Sequence, residues 1–401
     1  MSGISPERAQ SLHEDFDATA PETFDSAFEI YADLREQCPV AFSRAWGGFW
    51  ALTRYADVAA ALAEPSTFVT SVQNVVPRLA FTGRRPPLHL DPPEHTPYRK
   101  ALNPLFSPRR LKVLEAPARA FAADLLAPML ARGHGDICEE FSSHLPVQVF
   151  GEWMNLPADL RGVLREAGRS FNIAVQSFDH EAVKATSLNL YDMARDVMQR
   201  RRAAPLNPLL DPTSALLAAR HEGQPLPDEM ILGCVRQVLV VGIIAPTVMI
   251  GSICVHLSRH PDLQTKLRAD PSLIPAAVEE FLRLYTPYRG FARTATHDVE
   301  IGGRCILKDE PIALVYASAN RDEAVFDAAD QFVLDRPNIA QHLAFGRGPH
   351  NCVGSALARM ELRIALEELL SRTKGFDLAG EIKPTRCPEI GALSVPLRFD
   401  V

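Results

Sequence analysis

Cys352 lies in the run His342–Gly354 (HLAFGRGPHNCVG), where two glycines and a proline precede it and a long helical pattern begins just after it. A cysteine at a helix N-terminus has its thiolate favoured by the helix dipole and by unpaired backbone N–H groups. Arg347, and His350 when protonated, add positive charge nearby. Such a thiolate could be a nucleophile, a redox thiol or an iron ligand, whereas an arbitrary lone cysteine is more often a merely buried thiol. A second pattern is Glu280-Phe-Leu-Arg283, whose charged side chains sit one turn apart on one helix face and can pair. On its own it describes a surface salt bridge worth under about 1 kcal/mol. Other catalytic signatures are missing: the chain has no HExxH, GxSxG, GxxxxGK[ST] or EF-hand loop. Gly346–Asn351 (GRGPHN) starts like a dinucleotide loop, but Asn351 replaces the third glycine and no βαβ pattern surrounds it.

The elements that must hold these residues are mostly helical. Phe28–Gln37, Leu111–Arg132, Ala182–Arg202 and Gly354–Arg372 carry apolar residues at three- and four-residue spacing. Ser107-Pro108 reads as an N-cap followed by an N1 proline. Val40–Phe42 with Gly48–Thr53, and Val299–Gly303 with Pro311–Val315 around a Gly-Gly turn, read as short strands, and two more strand-like pieces finish the chain. Val238–His256 has no fixed charge and is long enough to span a membrane. Pro246, Gly242 and Gly251, with no Trp or Tyr at either end, favour a helix buried inside a large domain instead.

The chain has 401 residues, 47% hydrophobic and 23% charged, which excludes a disordered or fibrous protein. Its net charge of −7 argues against a nucleic-acid binder. The seven cysteines are scattered without CxxC spacing, so neither a disulfide scaffold nor a zinc framework is expected, and a reducing cytoplasm is the simplest compartment. No linker composition divides the chain, so residues 1–401 read as one large domain with an N-terminal tail of about 20 residues; that tail lacks the apolar stretch of a signal peptide. The fold class expected is mostly α with small β-sheets.

The full run FGxGxHxCxG resembles the haem-ligand loop of the cytochrome P-450 superfamily, with Cys352 at the axial-ligand position. The resemblance extends over about residues 20–400. It implies that fold, a haem b cofactor held through a thiolate, and haem contacts from Phe345 and Gly354. In the family an axial thiolate pushes electron density toward bound oxygen and favours O–O cleavage. Glu280 and Arg283, followed by Phe326–Arg336 (FDAADQFVLDR), resemble the family's buried Glu-Arg-Arg network, closed here by Arg336 and supporting the cysteine loop. Leu90–Pro108 matches the family's segment carrying His95 and Arg99 at i and i+4; these, with Arg293 and His350, match haem-propionate positions. The charge logic stands on its own, because two buried propionates need cationic partners.

The sequence departs from the family in its central helix. Most members carry AGxxT there with an acid before the threonine, an acid–alcohol pair that relays protons during oxygen activation. Aligned on Gly242, Val241 replaces the alanine, Ile244 the acid and Ala245 the threonine, and Pro246 follows. Thr247 is two residues on, about 200° around a helix, and points away unless Pro246 kinks the chain strongly. Three chemistries are therefore open. The first is an O2 monooxygenase whose protons come from a substrate group or an ordered water. The second is direct use of hydrogen peroxide, and the third is a thiolate-haem rearrangement or dehydration. A non-catalytic haem-binding protein is a further alternative.

Val241, Ile244 and Ala245 are expected to face the iron. The resemblance implies that the loop before His95 contributes Val75, Val76, Leu79 and Phe81 to the pocket, and that Arg289 and Phe291, after the ExxR helix, stand where the family places substrate-contacting residues. Arg289 has the chemistry of a carboxylate clamp or, equally, of an outward or propionate-adjacent arginine. An apolar or aromatic substrate of small to medium size is expected. No flavin or iron–sulfur pattern is visible, so the expected partners are a separate ferredoxin and its reductase, with no membrane contact. Arg109, Arg110, Lys112, Arg347, Arg359 and Arg363 are candidates for a basic docking face, or for an ordinary solvated one.

Overall fold

A computed structural model describes residues 24–78, 81–386 and 388–401. Its axis is a 32-residue helix, Asp228–Arg259, hereafter the central helix. The stretch is apolar on nearly every face, as a helix packed on all sides must be. It packs against the helices His180–Ala203, Ala158–Gln176, Leu145–Trp153 and Ser355–Ser371. Within its most apolar window 72% is inside the protein, so it is the core helix the sequence favours. Pro246 lies within this helix without ending it. Having no N–H, it leaves the carbonyl of Gly242 without a helical donor.

Two expected elements come out differently. The single run Leu111–Arg132 is broken into Pro108–Lys112 and Glu115–Arg132. Pro117 falls in the first turn of the second helix, where its missing N–H has no partner to lose. Ser107 takes the extended N-cap backbone before Pro108, without a side-chain cap bond. In the other case, Val299–Ile301 pairs with Arg304–Ile306 across Gly302-Gly303, whose φ values of 57° and 72° suit glycine. Pro311–Leu314 pairs elsewhere. It is a strand of a five-stranded sheet, parallel to Phe49–Leu52 and antiparallel to Phe291–Ala295, with Val40–Ser43 and Phe68–Val69 at the edges. The chain's end forms four short strands rather than two: Gly375–Leu378, Lys383–Pro384, Ala392–Ser394 and Pro396–Asp400. The result is mostly helical, with small sheets flanking the central helix and the helix Ser355–Ser371 following the cysteine loop.

Candidate active site

The cysteine loop turns twice through left-handed backbone, at Gly346 (φ 65°) and Gly348 (φ 72°), and a Cβ on Gly348 would also lie 2.9 Å from the carbonyl oxygen of Leu62. The turns let the amide of Cys352 donate to the Phe345 carbonyl at 2.8 Å, and that of Asn351 to the Gly348 carbonyl at 3.0 Å. Gly354 has ordinary backbone and sits beside the thiol: a Cβ there would lie 3.9 Å from the Cys352 sulfur. The Cys352 thiol is accessible to solvent, yet protein surrounds it, so it faces an interior cleft. Burial pushes its pKa up; the Gly354 N–H and the nearby Arg99 and Arg359 charges pull the other way.

The loop is anchored by the pair Glu279–Glu280 on the helix Ile274–Leu284. Glu280 accepts from Arg283 at 2.7 and 2.9 Å, from Arg336 at 3.0 and 3.1 Å, and from the Val333 amide at 3.0 Å. All three charged side chains are buried. Burial alone would raise the Glu280 pKa, but the two guanidiniums hold it below the usual carboxylate range. Arg283 also donates to the Asn320 carbonyl at 2.8 Å, and the Asn320 side chain accepts the Leu343 amide at 2.6 Å. The network thus reaches the first residues of the cysteine loop through Asn320. Glu279 grips the loop from its other side, bonding His342 at 3.1 Å and Arg359 at 2.6 and 2.9 Å. Arg359 in turn lies 4.5 Å above the Phe345 ring. Sequence reasoning found Glu280, Arg283 and Arg336 and missed Asn320 and Glu279; the only signal for Glu279 was its place beside Glu280.

On the other side of the thiol, His95 and His350 lie with ring centroids 5.1 Å apart, and His95 Nε2 is 3.3 Å from the Pro349 carbonyl. His350 Nε2 is 3.6 Å from Asp91, just beyond hydrogen-bond reach. Asp91 accepts the Thr70 and Ser71 amides at 2.8 and 3.0 Å, and against burial the neighbouring His350 first, then Ser71 and Thr70, bring its pKa down to about 2. Arg99 is half-buried near Cys352 and has no ion-pair partner among the described residues. Arg293 is buried, donates to the Ala292 carbonyl at 2.8 Å and approaches Tyr316, again with no carboxylate partner among the described residues. Two guanidiniums without counter-charges around an enclosed cysteine suit a cofactor that brings its own carboxylates, and that donor set fits a thiolate-ligated haem.

The central helix presents Val241, 47% exposed, and the partly open Ala245 on one face. Ile244 differs from the expectation that it faces the iron. It is 8% exposed and packs with Val240 and Val248 against Phe171, Val175 and Leu190 of the two helices above. Pro246 is buried. Gly242 is fixed by packing, since a Cβ there would lie 2.4 Å from the Phe150 ring.

The expected pocket residues divide between two places. Val76, Arg289 and Phe291 line a small cavity of about 30 Å³ with Trp46 and Tyr31. Phe81 and Val75 line another of about 300 Å³. Leu79 lies outside the described residues. Arg289 is buried and donates to the Glu389 carbonyl at 3.2 Å and the Tyr31 hydroxyl at 3.2 Å. Its geometry is that of a tie between chain segments rather than of the expected clamp.

The expected basic face is also revised. Arg110 is buried, donating to the carbonyls of Trp153 and Leu210 at 3.1 Å. Arg359 and Arg363 are paired with Glu279 and with Glu115 and Glu367. Arg109, Lys112 and Arg347 are the exposed members of the six.

Comparison with known proteins agrees with this geometry. The family model for cytochrome P450 matches residues 148–389. Mycinamicin IV hydroxylase/epoxidase of Micromonospora griseorubida is 35% identical over 92% of this chain and 94% of its own. Linalool 8-monooxygenase of Pseudomonas putida is 34% identical over 89% and 91%. Among solved structures, cytochrome P450 CYP109Q5 from Chondromyces apiculatus superposes with a TM-score of 0.87, at 29% identity over 97% of this chain and 99% of its own. The chain belongs to the cytochrome P450 family, whose members bind haem b through a cysteine thiolate. It is accordingly a monooxygenase of the oxidoreductase class.

Proposed function

We propose that this enzyme inserts one oxygen atom of O2 into a C–H bond of a small to medium apolar or aromatic compound, by hydroxylation or oxidative demethylation. The observation that carries the reading is the Cys352 thiol braced by Glu279 and Glu280, with Arg99 beside it and Arg293 at Tyr316, which lies against Gly346 of the loop, neither arginine having a carboxylate partner among the described residues. Cys352 would hold the haem iron; His95, Arg99, Arg293 and His350 would hold the propionates; Phe345 and Gly354 would contact the ring. When bound, haem supplies the activation of O2, which an axial thiolate favours. The residues above it do less proton work than usual. Val241 and Ala245 line the open face without an acid or a hydroxyl, while Ile244 and Pro246 are buried in the packing beside it. The Gly242 carbonyl, freed by Pro246, can hold an ordered water or a substrate hydroxyl. Protons therefore come from the substrate or from such a water.

Electrons come from a separate ferredoxin and reductase in the cytoplasm, docking where Arg109, Lys112 and Arg347 are exposed. Two of the bacterial relatives are named as a monooxygenase and as a hydroxylase/epoxidase, which supports this reading. The test is the carbon-monoxide difference spectrum of reduced protein. Wild type is expected to show the thiolate-haem band, Cys352→Ser to lose it, and Arg293→Leu to keep it while releasing haem faster to a scavenger protein. A thiolate band that survives in Cys352→Ser would overturn the ligand assignment.

A further inference from the structure

Arg85, His89, Tyr191 and Arg236 meet where the chain before His95 crosses the central helix and the helix His180–Ala203. Gly233 permits the crossing: a Cβ there would lie 1.9 Å from the Arg84 carbonyl oxygen. A Cβ on Gly83 would likewise lie 2.6 Å from the Tyr191 hydroxyl. Arg236 is fully buried and donates to the Ser187 hydroxyl at 2.9 Å. Its guanidinium lies 4.8 Å from the Phe171 ring centroid and 5.9 Å from that of Tyr191. Arg85, His89 and Tyr191 are each less than a tenth exposed.

Four atoms of this group are buried without a hydrogen-bond partner among the described residues: Nε of Arg85, Nε of Arg236, Nε2 of His89 and the Tyr191 hydroxyl. Such orphans are uncommon in folded proteins. Here all four can donate, His89 in the tautomer protonated at Nε2, so what they lack in common is an acceptor. The charge tells the same story. No carboxylate pairs with Arg85 or Arg236 among the described residues, and the Arg236 pKa falls to about 9, through burial first and the Arg85 charge second. His89 is pushed down to about 3 by burial and then by Arg85, Arg236, Arg84 and Arg78. Two buried like charges beside a phenol, with no carboxylate partner among the described residues, call for an anion. The group is also reachable, because Arg85 and His89 line the cavity of about 300 Å³, with Phe81 stacked on the His89 ring at 6.4 Å.

We propose that Arg85 and Arg236 form a carboxylate subsite, with the Tyr191 hydroxyl as a further donor, and that the substrate is an apolar organic acid. This names the substrate class of the monooxygenase reading above and rests on it. Arg236 lies on the side of the central helix that carries Val240 and Ile244, against Phe171, and Arg85 is the arginine of the pair that borders open space. Arg85 shares the cavity of about 300 Å³ with Val75 and Phe81, two residues of the expected pocket loop, so an acid held at the arginines can lay an alkyl or aryl body against them.

The test uses haem-loaded protein, with loading first established by the thiolate-haem spectrum. Calorimetric dissociation constants are measured in chloride-free buffer for matched probes: dodecanoic acid against 1-dodecanol, and 4-ethylbenzoic acid against 4-ethylbenzyl alcohol. In wild type at least one acid is expected to bind about tenfold more tightly than its alcohol. Arg85→Gln and Arg236→Gln are each expected to erase that preference while leaving the alcohol's affinity unchanged. Arg85 borders the cavity, so its variant keeps the test decidable if Arg236→Gln does not fold. Acids that bind no better than their alcohols, or variants that weaken both alike, would overturn the proposal. So would inorganic phosphate binding as tightly as the acids, which would make this a site for a free anion. A missing thiolate-haem spectrum counts against the monooxygenase reading, while the calorimetric comparison still decides the subsite.

Discussion

Thr247 and Ser142 exchange hydrogen bonds between the central helix and the turn Cys138–Ser142: the Thr247 hydroxyl donates to the Ser142 carbonyl at 2.7 Å, and the Ser142 hydroxyl donates to the Thr247 carbonyl at 3.1 Å. The single proton of the Thr247 hydroxyl is shared between the Ser142 carbonyl and the Ile243 carbonyl, 2.8 Å away, so it is engaged in bracing the helix just after Pro246. The one hydroxyl in this part of the helix is therefore turned to a structural partner, on the side away from Val241 and Ala245.

Thr247→Val should accordingly act on stability and not on chemistry. Losing these bonds is expected to cost about 1 kcal/mol in denaturant unfolding. The ratio of product formed to NADH consumed should equal that of wild type. A fall in that ratio, with stability unchanged, would place the hydroxyl in proton delivery after all.

Glu279 gives a pH signature. Burial would raise its pKa, but hydrogen bonds to His342 and Arg359 outweigh burial and bring it to about 2, below its unfolded value of 4.5. A depressed carboxylate contributes stability that is fully present above the unfolded pKa and is lost as pH falls through the folded one. The stability gap between wild type and Glu279→Gln should therefore be constant from pH 7 to about 5 and shrink between about 4.5 and 2. Urea unfolding of both proteins across that range measures it. A gap independent of pH would mean that the ionised carboxylate contributes nothing beyond its shape.

How much of this was legible in the sequence depended on distance along the chain. The Cys352 loop and the Glu280–Arg283 pair are local patterns, set by glycine conformations and by a three-residue helical step, and both could be read directly. Asn320 reaches Leu343, and Glu279 reaches His342, only after the fold has brought separate segments together. Arg85 and Arg236 likewise meet only because Gly233 lets two backbones touch. The orientation of Ile244 was illegible for another reason. In a helix apolar all round, periodicity does not say which side faces a neighbour. Packing against Phe171 and Leu190 decides it.

Arg289 was the arginine whose sequence position pointed to a substrate acid, and the fold uses it otherwise. Its guanidinium ties Tyr31 near the N-terminus to Glu389 near the C-terminus. The Glu389 carboxyl accepts from Gln176 at 2.5 Å, and burial pushes its pKa up to about 7 against the pull of Gln176 and Arg289. Arg289→Leu should lower stability by about 1–3 kcal/mol at neutral pH through the lost bonds of a charged donor. It should weaken acids and their matched alcohols to the same degree. Selective loss of acid binding in this variant would restore the clamp.

The last prediction concerns the oxidant. Hydrogen peroxide brings the electrons and protons that O2 must be given, so direct use of it asks the protein only to steer it and to shuttle one proton from one of its oxygens to the other, which is the work of a positioned acid–base group. The open face of the central helix offers Val241 and Ala245, Ile244 is buried beside them, and Thr247 is engaged with Ser142. A substrate that brings its own polar group, or a water held at the Gly242 carbonyl, can assist the O2 reaction after it has bound, but offers no general handle for peroxide. With a bound organic acid, ferredoxin, reductase and NADH should therefore give steady product by chromatography. Hydrogen peroxide alone should give less than about a tenth of that rate, the deficit expected when general acid–base assistance is missing. Peroxide-driven turnover equal to the NADH-driven rate would reverse the assignment and make the apolar face of the helix a feature that peroxide chemistry tolerates.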